Sequence, residues 1–182
     1  MHRRDIKRAW EFLKLVFRDV NRQTVEYQRP LTRRQFEEVY EEEGIEQLLF
    51  EIGVGKKSQI VAYGECAFEV TGESWVNSRY FERREMRPLF VQELAVHPDY
   101  QGQGVGTFAL EQLEHLARVR GCTHLVLEVA ENNRAAFRFY RLRHFYKLDA
   151  RIFMAKKITA EQELLPPRKI RKKKPAQTLA AS

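Results

Sequence analysis

The segment LAVHPDYQGQGVGT, residues 94–107, joins an apolar strand that ends at Val96 to a helix that begins near Gly104. Glycines at positions 102, 104 and 106 remove side chains and permit backbone angles that other residues avoid. A turn of this kind directs several backbone N–H groups to one side, and the N-terminus of the following helix adds positive potential. The segment therefore predicts an anion site, and a pyrophosphate is its natural occupant.

Two other nucleotide-binding turns do not fit this segment. A P-loop would end in Gly-Lys-Ser or Gly-Lys-Thr, and no such sequence follows the glycines. A Rossmann turn lies in a parallel βαβ unit near the start of its domain, whereas this turn follows segments that read as antiparallel strands. The alternative interpretation of this segment is an ordinary strand-to-helix connection that binds no ligand.

The elements around the turn follow from the spacing of apolar residues. Helices are predicted over residues 4–20 and from Thr32, as N-cap, to about Gly44. Antiparallel strands are predicted at Leu48–Val54, Gln59–Val70 and about Tyr80–Val96. After the turn come a helix that ends at Arg120-Gly121, a buried central strand at His124–Val129, a helix at Asn133–Arg143 and one or two closing strands within residues 145–157. This order predicts an α+β fold with a mixed, mostly antiparallel central sheet flanked by helices.

The domain boundary is predicted from composition. A chain of 182 residues with 43% hydrophobic content can build one sizeable core, which we assign to residues 1–158. Residues 159–182 carry six Lys or Arg against two Glu and read as a basic, disordered C-terminal tail. The net charge of +7 is therefore mostly a property of the tail.

The two cysteines, Cys66 and Cys122, show neither the spacing of a disulfide framework nor that of a zinc site. Free thiols suit a reducing compartment, and no apolar run approaches the ~20 residues that cross a bilayer. We expect a cytoplasmic protein with no membrane partner and no metal.

Two motifs in the second half of the chain carry a family resemblance. The pattern Leu94-x-Val96-x-Pro98-x-Tyr100-Gln101-x-x-Gly104-x-Gly106 resembles the Q/R-x-x-G-x-G/A acyl-CoA motif of the GNAT N-acetyltransferase superfamily. Downstream, Leu127-Glu128-Val129 followed by Asn133-x-x-Ala136-x-x-x-Tyr140 and Phe145 is similar to the second GNAT segment. The resemblance is good over residues 60–158 and poor over residues 1–58, and His144 stands where the family usually has glycine.

The resemblance implies an acetyltransferase that uses acetyl-CoA as co-substrate and acts on a primary amine, such as a protein N-terminus, a lysine or a small-molecule amine. It also implies direct attack of the amine on the thioester. The residues that it assigns to the cofactor are Leu94, Ala95, Val96, Gln101, Gly102, Gln103, Gly104, Val105, Gly106, Thr107, Asn133, Ala136 and Tyr140.

Transfer to an amine needs a base for the ammonium proton and an acid for the departing thiolate. The resemblance assigns the acid to Tyr140, and two carboxylates compete as base. Glu128 lies in a Leu-Glu-Val sequence similar to the one that carries the base in ribosomal-protein N-terminal acetyltransferases, with a tyrosine twelve residues later. Glu93 lies on the strand that faces the acceptor in many GNAT enzymes. Strand alternation places Gln92 and Glu93 on opposite faces, so a β-bulge would exchange their roles.

Two other functions are compatible with the sequence. The first is an acyl-CoA-binding regulatory domain that lacks acceptor chemistry. The second is a nucleic-acid-binding module built on the basic first helix and tail, but this function leaves the paired motifs unexplained. The identity of the acceptor, the acyl chain length and a homodimeric assembly are left open.

Overall fold

A computed structural model describes residues 1–20, 31–53, 58–69 and 78–148. Met1–Phe145 form one compact unit, and of the second, Tyr146–Ser182, only residues 146–148 are described. The predicted tail lies outside the described residues, as do positions 149–157 of the predicted closing strands. Residues 145–148 form no strand.

The described elements alternate helices with the strands of one sheet. The helices are α1 (Ile6–Val20), α2 (Arg33–Glu41), α3 (Ser78–Glu82), α4 (Val105–Val119) and α5 (Arg134–Arg141), and the strands are β1 (Ile45–Ile52), β2 (Gln59–Ala67), β3 (Pro88–Val96) and β4 (His124–Leu127). Short 3-10 turns at Arg3–Asp5 and Pro98–Tyr100 precede α1 and the glycine turn. The α+β prediction is confirmed.

The sheet has the order β1-β2-β3-β4. Strands β1, β2 and β3 pair antiparallel, whereas β3 and β4 pair parallel. The parallel pairing covers only Pro88–Val91 of β3, although β3 itself continues to Val96. Over its last residues β3 therefore extends beyond its pairing with β4, at the end of the strand that leads into the glycine turn.

Two hydrophobic cores lie on the two faces of the sheet. Helices α1 and α2 pack on the face that carries Tyr63 and Ala95, and α1 buries Ala9 completely there. Helix α4 packs through Leu113 and other apolar residues on the opposite face, which carries Cys66, Leu89 and Val91. The helices predicted at residues 4–20, from Thr32 to about Gly44 and from near Gly104 to Arg120 are confirmed as α1, α2 and α4, because each buries apolar residues against one of these faces.

The predicted helix ends agree with the cap geometry. Thr32 caps α2, with its hydroxyl accepting from the Gln35 backbone N–H and the Gln35 side chain accepting from Thr32. Gly121 follows the end of α4 with φ of 70°, the left-handed conformation expected of a C-terminal glycine. Among the helices of the described ranges, none has the length and apolar content that a membrane span needs.

Two strand predictions were wrong in part. The strand predicted from about Tyr80 begins only at Pro88, because Tyr80–Glu82 belong to α3. Phe81 of that helix is buried and packs edge-on against Phe90 at 5.3 Å, so its apolar character serves helix-to-sheet packing. The run at His124–Val129 forms a strand only to Leu127, and β4 is an edge rather than a central strand of the described sheet, with all four of its residues partly buried.

Candidate active site

A β-bulge in β3 determines which face of the sheet carries Glu93. Glu65 of β2 lies opposite Glu93, but the next residue, Cys66, lies opposite Val91, so Gln92 is the extra residue. Val91 packs in the core under α4, and strict alternation would place Glu93 on that face too. The bulge instead places Glu93 with its partner Glu65 on the face covered by α1 and α2.

Three polar side chains form a row across this face. Gln47, Glu65 and Glu93 are successive cross-strand partners on β1, β2 and β3. The Gln47 Nε2 donates to Glu65 Oε2 at 2.9 Å, and the Tyr63 hydroxyl donates to the same oxygen. Sequence reasoning missed Gln47, Tyr63 and Glu65. Tyr63 and Glu65 are two positions apart on β2, whereas only strand register brings Gln47 to Glu65. The one available signal was the polar positions at 63 and 65 within an otherwise apolar strand.

Glu93 has the electrostatic character of a base that works near neutral pH. The pKa of its carboxyl is raised from 4.5 to about 8, first by burial and second by the Glu65 carboxylate, while a hydrogen bond from the Leu94 backbone opposes the shift. A carboxyl with a pKa in this range is partly ionised near neutral pH, and the ionised fraction is a stronger base than an ordinary carboxylate.

Tyr140 lies within electrostatic reach of Glu93. Its ring packs against Phe139 and Phe145 at centroid distances of 5.2 and 5.3 Å. Burial raises the pKa of its hydroxyl to about 12, and the Glu93 charge contributes to the rise. The hydroxyl therefore stays protonated at neutral pH and can donate a hydrogen bond to a departing thiolate.

The second candidate base, Glu128, is the first residue after β4 and is exposed. Glu93 is the carboxylate whose charge raises the pKa of Tyr140. Of the three predicted catalytic residues, Glu93 and Tyr140 are therefore electrostatically coupled.

The glycine turn has room for a ligand. Gly102 and Gly104 adopt φ of 72° and 86°, and a Cβ added to either would meet no atom within 4 Å. Gly104 is the N-cap of α4 and supplies no side chain, so the N–H groups of the first turn of the helix are not capped by it. Uncapped N–H groups at a helix N-terminus can bind an anion such as a phosphate, and the side of the turn at the Gly102 and Gly104 Cβ positions is open.

Side chains of the turn hold its backbone in place. The Gln101 Nε2 donates to the Val96 carbonyl at 3.2 Å, and the Gln103 Nε2 donates to the Asp99 carbonyl at 2.8 Å. The His97 Nδ1 accepts from the Asp99 backbone N–H. The two glutamines, predicted as cofactor contacts, therefore also brace the turn.

Helix α5 packs directly on the turn. A Cβ on Gly106 would lie 3.4 Å from the Phe139 ring and from Val96, so this glycine permits the close approach. Asn133, predicted as a cofactor contact, caps α5 by accepting from the Ala136 N–H at 3.1 Å.

Arg143, which sequence reasoning missed, links the end of α5 to the turn. It donates to the Thr107 hydroxyl and to the Phe139 carbonyl, the latter at 2.9 Å, and it stacks on the Phe139 ring at 3.8 Å. Thr107 lies in the first turn of α4, so Arg143 joins the two helices beside the anion site. No sequence signal marked Arg143, since its partners depend on how the helices pack.

Within the described ranges, no group of three or more His, Cys, Asp or Glu side chains could hold a metal ion. Cys66 is buried and Cys122 is partly buried, and both are free thiols.

The chain is similar to known acetyltransferases over part of its length. It is 31% identical over 70 residues to Acetyltransferase SG1711 of Sodalis glossinidius (strain morsitans), covering 38% of this chain and 49% of that protein. It is 31% identical over 89 residues to the thialysine N-epsilon-acetyltransferase of Mus musculus, covering 49% and 46% of the two chains. The chain thus spans about half the length of the curated relatives that it matches.

The fold is shared with solved structures over most of the chain. The ribosomal-protein-S18-alanine N-acetyltransferase from Escherichia coli superposes with a TM-score of 0.56 and 21% identity, covering 82% of this chain and 76% of that one. The model of the acetyltransferase (GNAT) family matches residues 13–145, which include the bulged strand, the glycine turn and Tyr140. The chain therefore belongs to the acetyltransferase (GNAT) family.

Proposed function

We propose that this chain moves an acetyl group from acetyl-CoA to a primary amine, with Glu93 as base and Tyr140 as acid. The observation that carries the proposal is the β-bulge, which places Glu93 on the same face as Glu65. The contribution of the Glu93 charge to the raised pKa of Tyr140 supports the pairing of these two residues. The names of two similar proteins, which act on thialysine and on a ribosomal-protein alanine, both specify N-acetylation and support an amine acceptor.

The glycine turn and the end of β3 are the surfaces that would hold the co-substrate. Backbone N–H groups from Gly102 to Thr107 would bind its pyrophosphate. The backbone of Leu94–Val96, beyond the last pairing with β4, would bind the pantetheine arm. When bound, acetyl-CoA supplies an acetyl group activated as a thioester. This arrangement leads the cofactor from the turn along the strand that carries Glu93.

Proton transfer divides between the two side chains. Glu93 accepts a proton from the acceptor ammonium, which frees the nitrogen lone pair for attack. Tyr140 donates to the sulfur as the C–S bond breaks. Glu128 is the alternative base, and a comparison of Glu93→Gln with Glu128→Gln distinguishes them. If kcat/KM falls ~100-fold or more only in Glu128→Gln, the assignment of Glu93 is wrong.

The first experiment is a thermal melt with acetyl-CoA, with ATP and NAD at equal concentration as controls. Ligand at ~100 times its Kd adds ~2.7 kcal/mol to the free energy of unfolding. For a domain of this size that is a rise in Tm of roughly 5–10 °C. A rise specific to acetyl-CoA supports the proposal, and no rise contradicts it.

The variant Gly104→Glu tests the placement of the anion site in the same assay. The Cβ of the new glutamate would meet no neighbouring atom within 4 Å. The residue would have to adopt the φ of 86° that Gly104 has, and its negative charge would repel a phosphate. We expect the response to acetyl-CoA to be lost. An unchanged response would contradict the placement of the phosphates at this turn.

A further inference from the structure

Helix α5 differs from the other long helices in what its basic side chains contact. In α1, α2 and α4, basic side chains form ion pairs with carboxylates of the chain: Lys7, Arg8, Arg33, Arg34 and Arg118. Helix α5, with the sequence RAAFRFYR, contains no acidic residue. Its Arg134, Arg138 and Arg141 are exposed, and no ion pair or side-chain hydrogen bond joins any of them to another residue of the described ranges. Helix α5 therefore carries positive charge that is paired with no described carboxylate.

The three arginines, Arg134, Arg138 and Arg141, form one row along the helix, here called the arginine row. Their spacing of four and three residues brings them to the same face. At a rise of about 1.5 Å per residue, consecutive members lie about 6 and about 4.5 Å apart along the axis. These steps are shorter than the Debye length of about 8 Å at physiological ionic strength, so the positive potentials of the three side chains add. The arginine row therefore suits a partner that carries several negative charges.

The arginine row points away from the glycine turn. On the other side of α5, Phe139 packs against Gly106 and Arg143 donates to Thr107. With about 3.6 residues per turn, the row lies roughly 150° around the helix from these two contacts. A cofactor bound at the turn would therefore leave the row available to a second anionic partner.

An exposed aromatic ring borders the arginine row. Phe137 is 45% exposed, whereas phenylalanine is usually among the most buried residue types. It lies three residues after Arg134 and four before Arg141, so the three positions adjoin one another on the helix surface. Proteins hold single-stranded nucleic acid with this combination, in which cations contact the phosphates and aromatic rings stack on the bases. The ring therefore favours a single strand, whose bases are free to stack on it.

We propose that the exposed face of α5 binds single-stranded nucleic acid, with the arginine row on phosphates and Phe137 stacked on a base. The sequence alone associated nucleic acid with the basic first helix and the tail, but Lys7 and Arg8 of that helix are ion-paired. A membrane surface fits α5 less well, because the aromatic side chains Phe139 and Tyr140 pack against neighbouring residues on its other side. This binding face is separate from the proposed acetyl-transfer site and does not depend on it.

The first test is a triple variant, Arg134→Gln with Arg138→Gln and Arg141→Gln, which removes the three charges and keeps good helix formers. Its binding to fluorescein-labelled oligouridylate and oligothymidylate of about 12 nucleotides is followed by fluorescence anisotropy over a series of KCl concentrations. Each phosphate contact on a single strand contributes about 0.7 to the slope of log K against log[KCl], so the slope should fall by about 2. At physiological ionic strength Kd should rise about 10- to 100-fold. The two oligonucleotides distinguish RNA from DNA, and binding of either one supports the proposal.

The matched control is a second triple variant, Arg33→Gln with Arg34→Gln and Arg118→Gln. These arginines are exposed and paired with glutamates, so the same charge is removed elsewhere on the chain. We expect its salt slope to stay within about 0.5 of the wild-type slope. An equal fall in both triple variants would show that overall charge, not α5, holds the strand. That result, or a wild-type protein that binds neither oligonucleotide, would refute the proposal.

The variant Phe137→Leu separates base stacking from charge. It keeps an apolar side chain and all three arginines, so the salt slope should not change. The affinity should fall about 5- to 100-fold, the effect of losing one stacked base. An unchanged affinity would contradict the proposal, because a surface that binds through charge alone does not need the ring.

Vesicles of phosphatidylcholine and phosphatidylserine test the membrane alternative with the same variants. If the α5 triple variant loses binding to these vesicles but keeps its affinity for both oligonucleotides, the face binds lipid and the proposal is wrong. All the substituted side chains are exposed, so each variant should unfold at the wild-type Tm by circular dichroism.

Discussion

Replacing Glu93 by glutamine should stabilise the protein while it destroys activity, and the stabilisation should grow with pH. The pKa of Glu93 is raised from 4.5 to about 8 in the folded chain. Its contribution to stability is therefore fully present below pH 4.5 and is lost as pH rises towards 8. The folded state favours the protonated, neutral form of this carboxyl. Ionisation therefore stabilises the unfolded state relative to the folded state.

The magnitude follows from the same two pKa values. Between about pH 5 and about pH 8.5, ionisation of Glu93 costs the native state up to roughly 4 kcal/mol. A neutral glutamine avoids this cost, so the difference in the free energy of unfolding between Glu93→Gln and wild type should grow by that amount. At ~2–4 °C per kcal/mol for a domain of this size, the Tm advantage of the variant grows by roughly 8–16 °C.

The assay is thermal unfolding of both proteins by circular dichroism at the two pH values, with Glu111→Gln as the control for the loss of an exposed carboxylate. In parallel, kcat/KM of Glu93→Gln should fall about 100- to 10,000-fold, the size of a lost general base. A Tm difference that is the same at both pH values, or larger at pH 5, would show that Glu93 has an ordinary pKa and refute the reasoning.

Three further variants test other contacts of the site. Tyr140→Phe keeps the ring packing but removes the hydroxyl that would act as the acid. We expect kcat to fall at least ~100-fold with unchanged affinity for acetyl-CoA. Equal turnover in the two proteins would exclude the acid role. Arg143→Met keeps an aliphatic chain against Phe139 but loses the hydrogen bond to Thr107. We expect acetyl-CoA to bind about 3- to 10-fold more weakly, as measured by calorimetry. An unchanged affinity would show that Arg143 does not support the anion site. His144 adopts a positive φ of 64° after α5, a conformation that glycine adopts without strain. His144→Gly should therefore raise the free energy of unfolding by about 0.5–1 kcal/mol in denaturant titrations. A loss of stability would contradict a strained turn.

Much of the architecture follows from local patterns. The apolar stripe of α1, the Thr32 cap of α2, Gly121 after α4 and the glycine turn were all predictable, because helix periodicity, capping and turn chemistry depend on residues a few positions apart. The same locality explains the error at Tyr80–Glu82, where aromatic residues suit a strand and a packed helix equally well.

The face that carries the proposed base depends on pairing across the sheet. Alternation alone leaves Glu93 and Gln92 interchangeable, and a single extra residue in β3 assigns Glu93 to the side of α1 and α2. Gln47 reaches Glu65 across 18 positions of sequence, a contact that exists only once the strands are in register. The pKa of Glu93 depends on burial and on that neighbouring charge. The glycine turn is thus a property of a short segment, whereas the proposed acid–base pair depends on long-range packing, because strand register and burial are set by the whole sheet.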